Sequence, residues 1–312
     1  MCLGRHGQLC GLYYMAGQDA GVLLQGELML RLAKQFIPLA LRTRLKWLGY
    51  ALQDGFKGPQ AKRVPPRRQT FIGGGDFVSV GEDFFLTLKR HGLTPDMDVL
   101  DVGCGQGRMA RPMIGFFEDG EYIGFDIVRS GIKWCQTEYA ELSTFKFLHA
   151  DVYNERYNKS GKVAAKDFKF PFEDNSFDRI FLTSVFTHMF AQDVANYLSE
   201  ISRVLRPGGK TLISWFLLDD VSRLSQHPVL NFRYAIDDVS STTVKSNPEA
   251  AIAFDLDYVK SLYEQSGLRI KAIEDGQWAR PESQYSLQDL IIAQKAYITP
   301  SLSSSTGPVI IT

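Results

Sequence analysis

Cysteine is scarce in this chain. There are four in 312 residues (Cys2, Cys10, Cys104 and Cys135), at spacings that match no metal-ligand pattern. A disulfide-stapled scaffold and a zinc module are both excluded, no metal is expected, and a reduced, cytoplasmic compartment fits best. An excess of charge of one sign is also lacking, because 35 Lys and Arg balance 35 Asp and Glu. The chain as a whole is therefore not biased towards nucleic acid, and no recognised RNA- or DNA-binding module is present. Charges interrupt every apolar run before it reaches the length of a transmembrane helix. The first residues lack the basic, apolar and small-residue order of a signal peptide.

What is present is unevenly distributed. Residues 1–20 show no period and are expected to be disordered. Ten Lys or Arg and one acidic residue, Asp54, lie between Arg31 and Arg68. Apolar residues recur at helical spacing from Val22 to Leu52, with a kink or a restart at Pro38. Such a basic amphipathic helix either packs on the domain or lies on an anionic membrane surface. A linker from Gly55 to Arg68 completes a helical extension over 21–70, and a flexible tail is expected over 297–312. The intervening segment, 71–296, alternates strands and helices, which argues for a mainly parallel sheet covered on both faces. Strands are expected at Val99–Val102, Tyr122–Phe125, Phe145–His149, Asp178–Thr183, Thr211–Leu217, Leu268–Glu274 and Leu287–Ala293. Helices are expected at Gly81–His91, from the glycine loop through Phe117, at Ser130–Glu141, Asp193–Leu205 and Leu256–Ser266. Pro207-Gly208-Gly209 reads as a stop and turn.

Three strand ends carry the chemistry. VLDVGCGQGR (Val99–Arg108) places Asp101 in a strand and Gly103, Cys104 and Gly105 in the loop behind it, where glycines admit close approach of a ligand. Asp126 and Ile127 follow the second strand, and a carboxylate there can accept both hydroxyls of a ribose. Asp151 and Val152 follow the third, where an acid and a main-chain amide suit an adenine edge. Binding at strand carboxyl ends fits a nucleotide-like cofactor. The dinucleotide fingerprint G-x-G-x-x-G is not met, because Arg108 stands at its third glycine.

Together with FPFEDNSFDRIF, SVFTH and YLSEISRVLRPGG, in this order, these motifs resemble class I S-adenosylmethionine-dependent methyltransferases of the type 11/12 small-molecule group, from Val99 to about Phe216. The resemblance implies an α/β, Rossmann-like αβα sandwich with a seven-stranded sheet whose last strand is antiparallel. It implies S-adenosyl-L-methionine as cofactor. Asp101, Gly103 and Gly105 would hold the methionine moiety, Asp126 the ribose, and Asp151 with Val152 the adenine, while Thr183 and Ser184 would flank the methyl donor. It does not cover residues 1–70 or the polar excursion 219–251.

The acceptor is expected to be a small molecule methylated on oxygen, with a sugar or glycan-linked intermediate favoured. The alternatives are a lipid- or quinone-type acceptor at a membrane surface, and a catalytically silent cofactor-binding partner protein. His188 is the candidate base, as the one side chain with an ordinary pKa near 6.5; a packed, loop-shaping role competes with that. The aromatic-rich insertion Tyr153–Phe172 is expected to form a lid or acceptor-side loop. FIGGGDF (Phe71–Phe77) is expected either to close over the cofactor or to form a plain turn.

Overall fold

The computed structural model describes residues 62–66, 70, 73–225 and 227–297. The expected disorder of 1–20, the amphipathic helix of 22–52 and the tail from 298 onwards lie outside the described residues. The chain divides into two units, 1–61 with 66–70 and 62–65 with 71–312. Pro66 and Thr70 are the described residues of the first, joined by Thr70 Oγ1 donating to the Pro66 carbonyl at 3.2 Å. All that follows concerns the second unit.

α1 (Phe77–Arg90) opens it, capped by Asp76, whose carboxylate accepts from the Val78 and Ser79 amides. Such a cap stabilises a helix by roughly 1 kcal/mol. The strands β1 (Val99–Val102), β2 (Tyr122–Asp126), β3 (Phe145–His149), β4 (Phe177–Leu182) and β5 (Leu205–Trp215) follow, with α2 (Arg129–Glu138) and α3 (Ala191–Val204) among them. Two-residue strands β6 (Leu217–Leu218) and β7 (Tyr234–Ala235), then β8 (Ser240–Thr242) and β9 (Ile252–Asp255), precede α4 (Leu256–Gln265), β10 (Leu268–Glu274) and β11 (Asp289–Lys295).

The main sheet has the order β10-β11-β5-β4-β1-β2-β3, with β11 antiparallel to both neighbours. This is the seven-stranded sheet implied by the resemblance. Its central strand β1 is buried at all four positions, the continuous apolar run of a strand covered on both faces. Edge strand β3 instead alternates between buried phenylalanines and the exposed Lys146 and Leu148. From β1 the chain winds outward through β2 and β3, then returns to lay β4 on the other side of β1. The carboxyl ends of β1 and β4 therefore open a crevice, the place where α/β sheets bind ligands.

Two expectations fail here. The glycine loop does not start an α-helix: turns follow it, then a three-residue 3-10 helix, Arg111–Met113. Pro112 lacks an amide proton, and Gly107 and Gly115 take φ of 73° and 77°, which breaks the helical ladder. No regular helix end therefore stands behind the loop to offer its amides. Pro207–Gly209 is not a turn between helix and strand. The pairing of β4 with β5 jumps from Phe177↔Leu205 to Arg179↔Lys210, so this segment is extra length within a longer β5. The polar excursion folds as well, contributing β7 and β8 to a second sheet of order β6-β9-β8-β7.

The insertion after β3 is ordered by its own contacts. Val152 bridges Val163, and Asn196 on α3 donates to the carbonyls of Ala165 and Phe168, both at 2.9 Å. Of the basic run, Lys62 and Arg63 are described, and both pair with Glu141. No helix among the described residues is long and apolar enough to cross a membrane.

Candidate active site

One cavity of ≈ 1360 Å³ lies over the crevice. Asp101, Gly103, Cys104, Gly105, Asp126, Ile127, Val152, Thr183, Ser184 and His188 all line it, so the structure gathers ten of the eleven site residues expected from sequence. Asp151 is outside that lining. It is half-buried and its carbonyl accepts from the Lys162 and Val163 amides, which seats the base of the insertion.

The floor is made by the glycine loop bending back on β2. Gly103 and Cys104 donate main-chain hydrogen bonds to the Phe125 carbonyl at 2.8 and 3.1 Å. Gly103 has φ of 80°, and a Cβ there would stand 2.4 Å from Cγ2 of Val185. Both the backbone region and the space therefore require glycine. The buried thiols of Cys104 and Cys135 are free. Burial pushes both well above the ordinary thiol range, so they remain protonated and act as small apolar groups.

Two buried carboxylates set the charge of the floor. Asp126 accepts from the Gly105 amide on one oxygen at 2.8 Å and from the Val128 amide on the other at 2.7 Å. Each oxygen retains a lone pair for a further donor. Asp101 accepts from the Tyr122 hydroxyl at 2.5 Å through one oxygen. Its other oxygen, Oδ1, is buried without a hydrogen-bond partner among the described residues. Burial raises the Asp101 pKa to about 8, countered in part by the Tyr122 hydrogen bond and reinforced by the nearby Asp126 charge. An orphaned carboxylate oxygen in this position suits a cationic ligand, since an isolated buried charge is costly.

The wall comes from the end of β4. Ser184 adopts φ of 58°, unusual for a residue with a side chain. Its amide donates to Ser214 Oγ at 2.8 Å and its hydroxyl to Gln288 at 3.0 Å, which hold the turn in place. His188 closes a 3-10 turn, Phe186–His188, and its Nδ1–H donates to the Glu249 carbonyl at 2.7 Å. That contact fixes the tautomer and leaves Nε2 as an acceptor with no hydrogen-bond partner among the described residues. Burial lowers the His188 pKa, opposed by the hydrogen bond to Glu249 and aided by the Arg156 charge, so the neutral ring is favoured at pH 7.

Several contributors were not legible in the sequence. Tyr122, Ser214, Gln288 and Glu249 lie in other elements and meet the site only through the fold. Arg108 was visible only as a break in the dinucleotide pattern. Its guanidinium donates to the Gly73 and Gly74 carbonyls at 2.7 and 3.1 Å and stacks 5.6 Å from the Phe77 ring. Gly73–Gly75 also line the cavity, so that segment is more than a plain turn, while Phe71 and Ile72 lie outside the described residues.

Residues 100–213 match the profile of a family described as a methyltransferase domain. A sterol 24-C-methyltransferase of Gibberella zeae is 32% identical over 152 residues, 45% of this chain and 35% of that protein. A fatty-acid O-methyltransferase of Mycolicibacterium smegmatis is 33% identical over 112 residues, 36% of this chain and 34% of that protein. The chain thus spans about a third of the length of these relatives. A solved structure from Pyrococcus horikoshii shares the fold at 18% identity with a TM-score of 0.51, covering 75% of this chain and 97% of that one.

Proposed function

We propose that this chain, a member of the class I S-adenosylmethionine-dependent methyltransferases, moves a methyl group from that cofactor to an oxygen of a small molecule. The observation that carries the reading is the orphaned Asp101 carboxylate beside Asp126 at the floor of the cavity. The cofactor is a cation at its sulfur and its amino group, and supplies an already activated methyl group. Asp101 would meet the amino group, Asp126 the ribose hydroxyls through its remaining lone pairs, and the Val152 segment the adenine. Asp151, outside the lining, would act on adenine only after its side chain swings inward. Thr183 and Ser184 would bound the methyl group, with Gly73–Gly75 held over the site by Arg108.

Transfer is an in-line displacement, so the residues mainly align the acceptor and exclude water. A hydroxyl must also lose its proton. His188 is suited to take it, being neutral, oriented by Glu249 and bearing a free Nε2 within the cavity. Among acceptors, an apolar or lipid-like body is supported by the relatives whose names specify sterols and fatty acids. Leu86, Leu230 and Leu287 in the lining add to that support. The sugar or glycan-linked acceptor is supported by Asn154, Tyr153 and Tyr157, an amide and two phenol rings that also line the cavity.

The test is transfer of a labelled methyl group to a fractionated metabolite extract, with Asp126→Ala as control. Label appearing in an organic-soluble product favours the lipid-like acceptor, and label in a polar product favours the sugar. No incorporation by a protein that binds the cofactor tightly would instead indicate a silent binding partner.

A further inference from the structure

Three arginines line the cavity, and two have their guanidinium groups engaged. Arg108 holds the Gly73 and Gly74 carbonyls. Arg90 grips the buried Glu274 through both carboxylate oxygens, at 2.9 and 2.8 Å. The third, Arg156, has an exposed guanidinium with no carboxylate partner among the described residues; its contact is with the Tyr157 ring, 5.3 Å away. Its sequence neighbour Glu155 is already paired with Lys159. Tyr157 in turn meets the His188 ring edge-on at 5.6 Å. Charge, phenol and imidazole thus stand in succession in the cavity lining, the exposed Arg156 beside Tyr157 and Tyr157 beside His188.

Asp83 on α1 also lines the cavity without an ion pair among the described residues, and the floor holds the Asp126 carboxylate beside an Asp101 that is protonated below about pH 8. An anion entering this cavity is repelled by Asp83 and Asp126, and Arg156 is the lining arginine whose guanidinium has no carboxylate or carbonyl partner among the described residues. Resting on the methyltransferase reading above, we propose that the acceptor bears an anionic group, a carboxylate or a phosphate, which Arg156 binds while the hydroxyl to be methylated reaches His188. Arginine suits both anions because its fork donates two parallel hydrogen bonds, and stacking on Tyr157 pre-orients the fork. Arg156 is then a specificity-determining residue outside the cofactor pocket.

The test uses binding rather than turnover, with the full chain saturated by S-adenosylhomocysteine. Two matched pairs are titrated by calorimetry: 12-hydroxydodecanoate against dodecane-1,12-diol, and mannose 6-phosphate against mannose. In at least one pair the anionic member is expected to bind ten times or more tighter than the neutral one. The pair that discriminates identifies whether the anion sits on a lipid-like or a sugar-like body. Arg156→Ala is expected to erase the discrimination, and Arg156→Lys to retain part of it. No discrimination in either pair, or discrimination that survives Arg156→Ala with cofactor binding intact, overturns the proposal. Failure of the methyltransferase reading would show separately, as loss of S-adenosylhomocysteine binding by the unsubstituted protein.

Discussion

The two halves of the cavity are built differently. The half proposed to hold the cofactor uses consecutive strand tips, with main-chain amides of Gly105 and Val128 directed at Asp126 and glycines where side chains would intrude. The acceptor half is assembled from distant segments. His188 follows β4, Tyr157 belongs to the insertion after β3, and Glu249 precedes β9. The first half is set by local geometry that any nucleotide-like ligand of this shape requires. The second depends on which insertions fold over it, and is where specificity can change without disturbing the first.

The sharpest test of this contrast is a pair of substitutions with opposite signatures. His188→Ala is expected to lower turnover by roughly 10²- to 10⁴-fold while leaving cofactor affinity within twofold. Equal turnover with an identified acceptor would remove His188 as the base. Asp126→Ala is expected to weaken cofactor binding about a hundredfold, since it removes a charged acceptor and frees two buried amides, roughly 3 kcal/mol. Calorimetry with S-adenosylhomocysteine measures it, and a change below fivefold would contradict the ribose assignment.

Gly103→Ala tests the floor as backbone. The added Cβ meets Val185 and the φ of 80° is unfavourable, so a loss of about 1–3 kcal/mol is expected in denaturant unfolding. An additional Val185→Ala change should restore part of that loss, because it clears the contact but not the dihedral strain.

A pH series separates the charged floor from the uncharged acceptor wall. With its pKa raised to about 8, against 3.8 ordinarily, Asp101 holds a proton in the folded chain between these values that the unfolded chain has released. Its contribution to folding stability therefore falls as pH rises from about 4 to about 8. Affinity for the cationic cofactor should rise over the upper part of that window, as Asp101 becomes ionised, and binding at pH 7 should release a proton. Calorimetry in two buffers of different ionisation heat detects that release, and Asp101→Asn should abolish it.

The smallest effect is expected from Arg108→Ala, which frees Gly73–Gly75 from the loop. Cofactor affinity should drop tenfold or less, with faster amide exchange across those glycines. Unchanged exchange would show that Arg108 does not hold the segment.

Much of the fold was legible because its signals are local. Val99–Val102, Phe145–His149 and Leu268–Glu274 were found at their true bounds from apolar runs between turn residues. The expected helix after Gly107 shows the limit, since Pro112 and two left-handed glycines break it into turns and a short 3-10 helix. In the second sheet β6, β7 and β8 escaped because they are two or three residues long, too short for any period to register.

The sequence by itself determined the cofactor half, because main-chain geometry at a strand end depends on residues adjacent in the chain: Asp101 before Gly103 and Gly105, and Asp126 before the turn at Ile127. Only the tertiary structure decided what surrounds them. Tyr122 reaching Asp101, Arg108 reaching Gly73 and Gly74, and the Glu249 carbonyl fixing the ring of His188 join residues between 21 and 61 positions apart. No periodicity or short motif encodes contacts at that separation. They exist because the sheet places its strand tips side by side and the insertions fold over them.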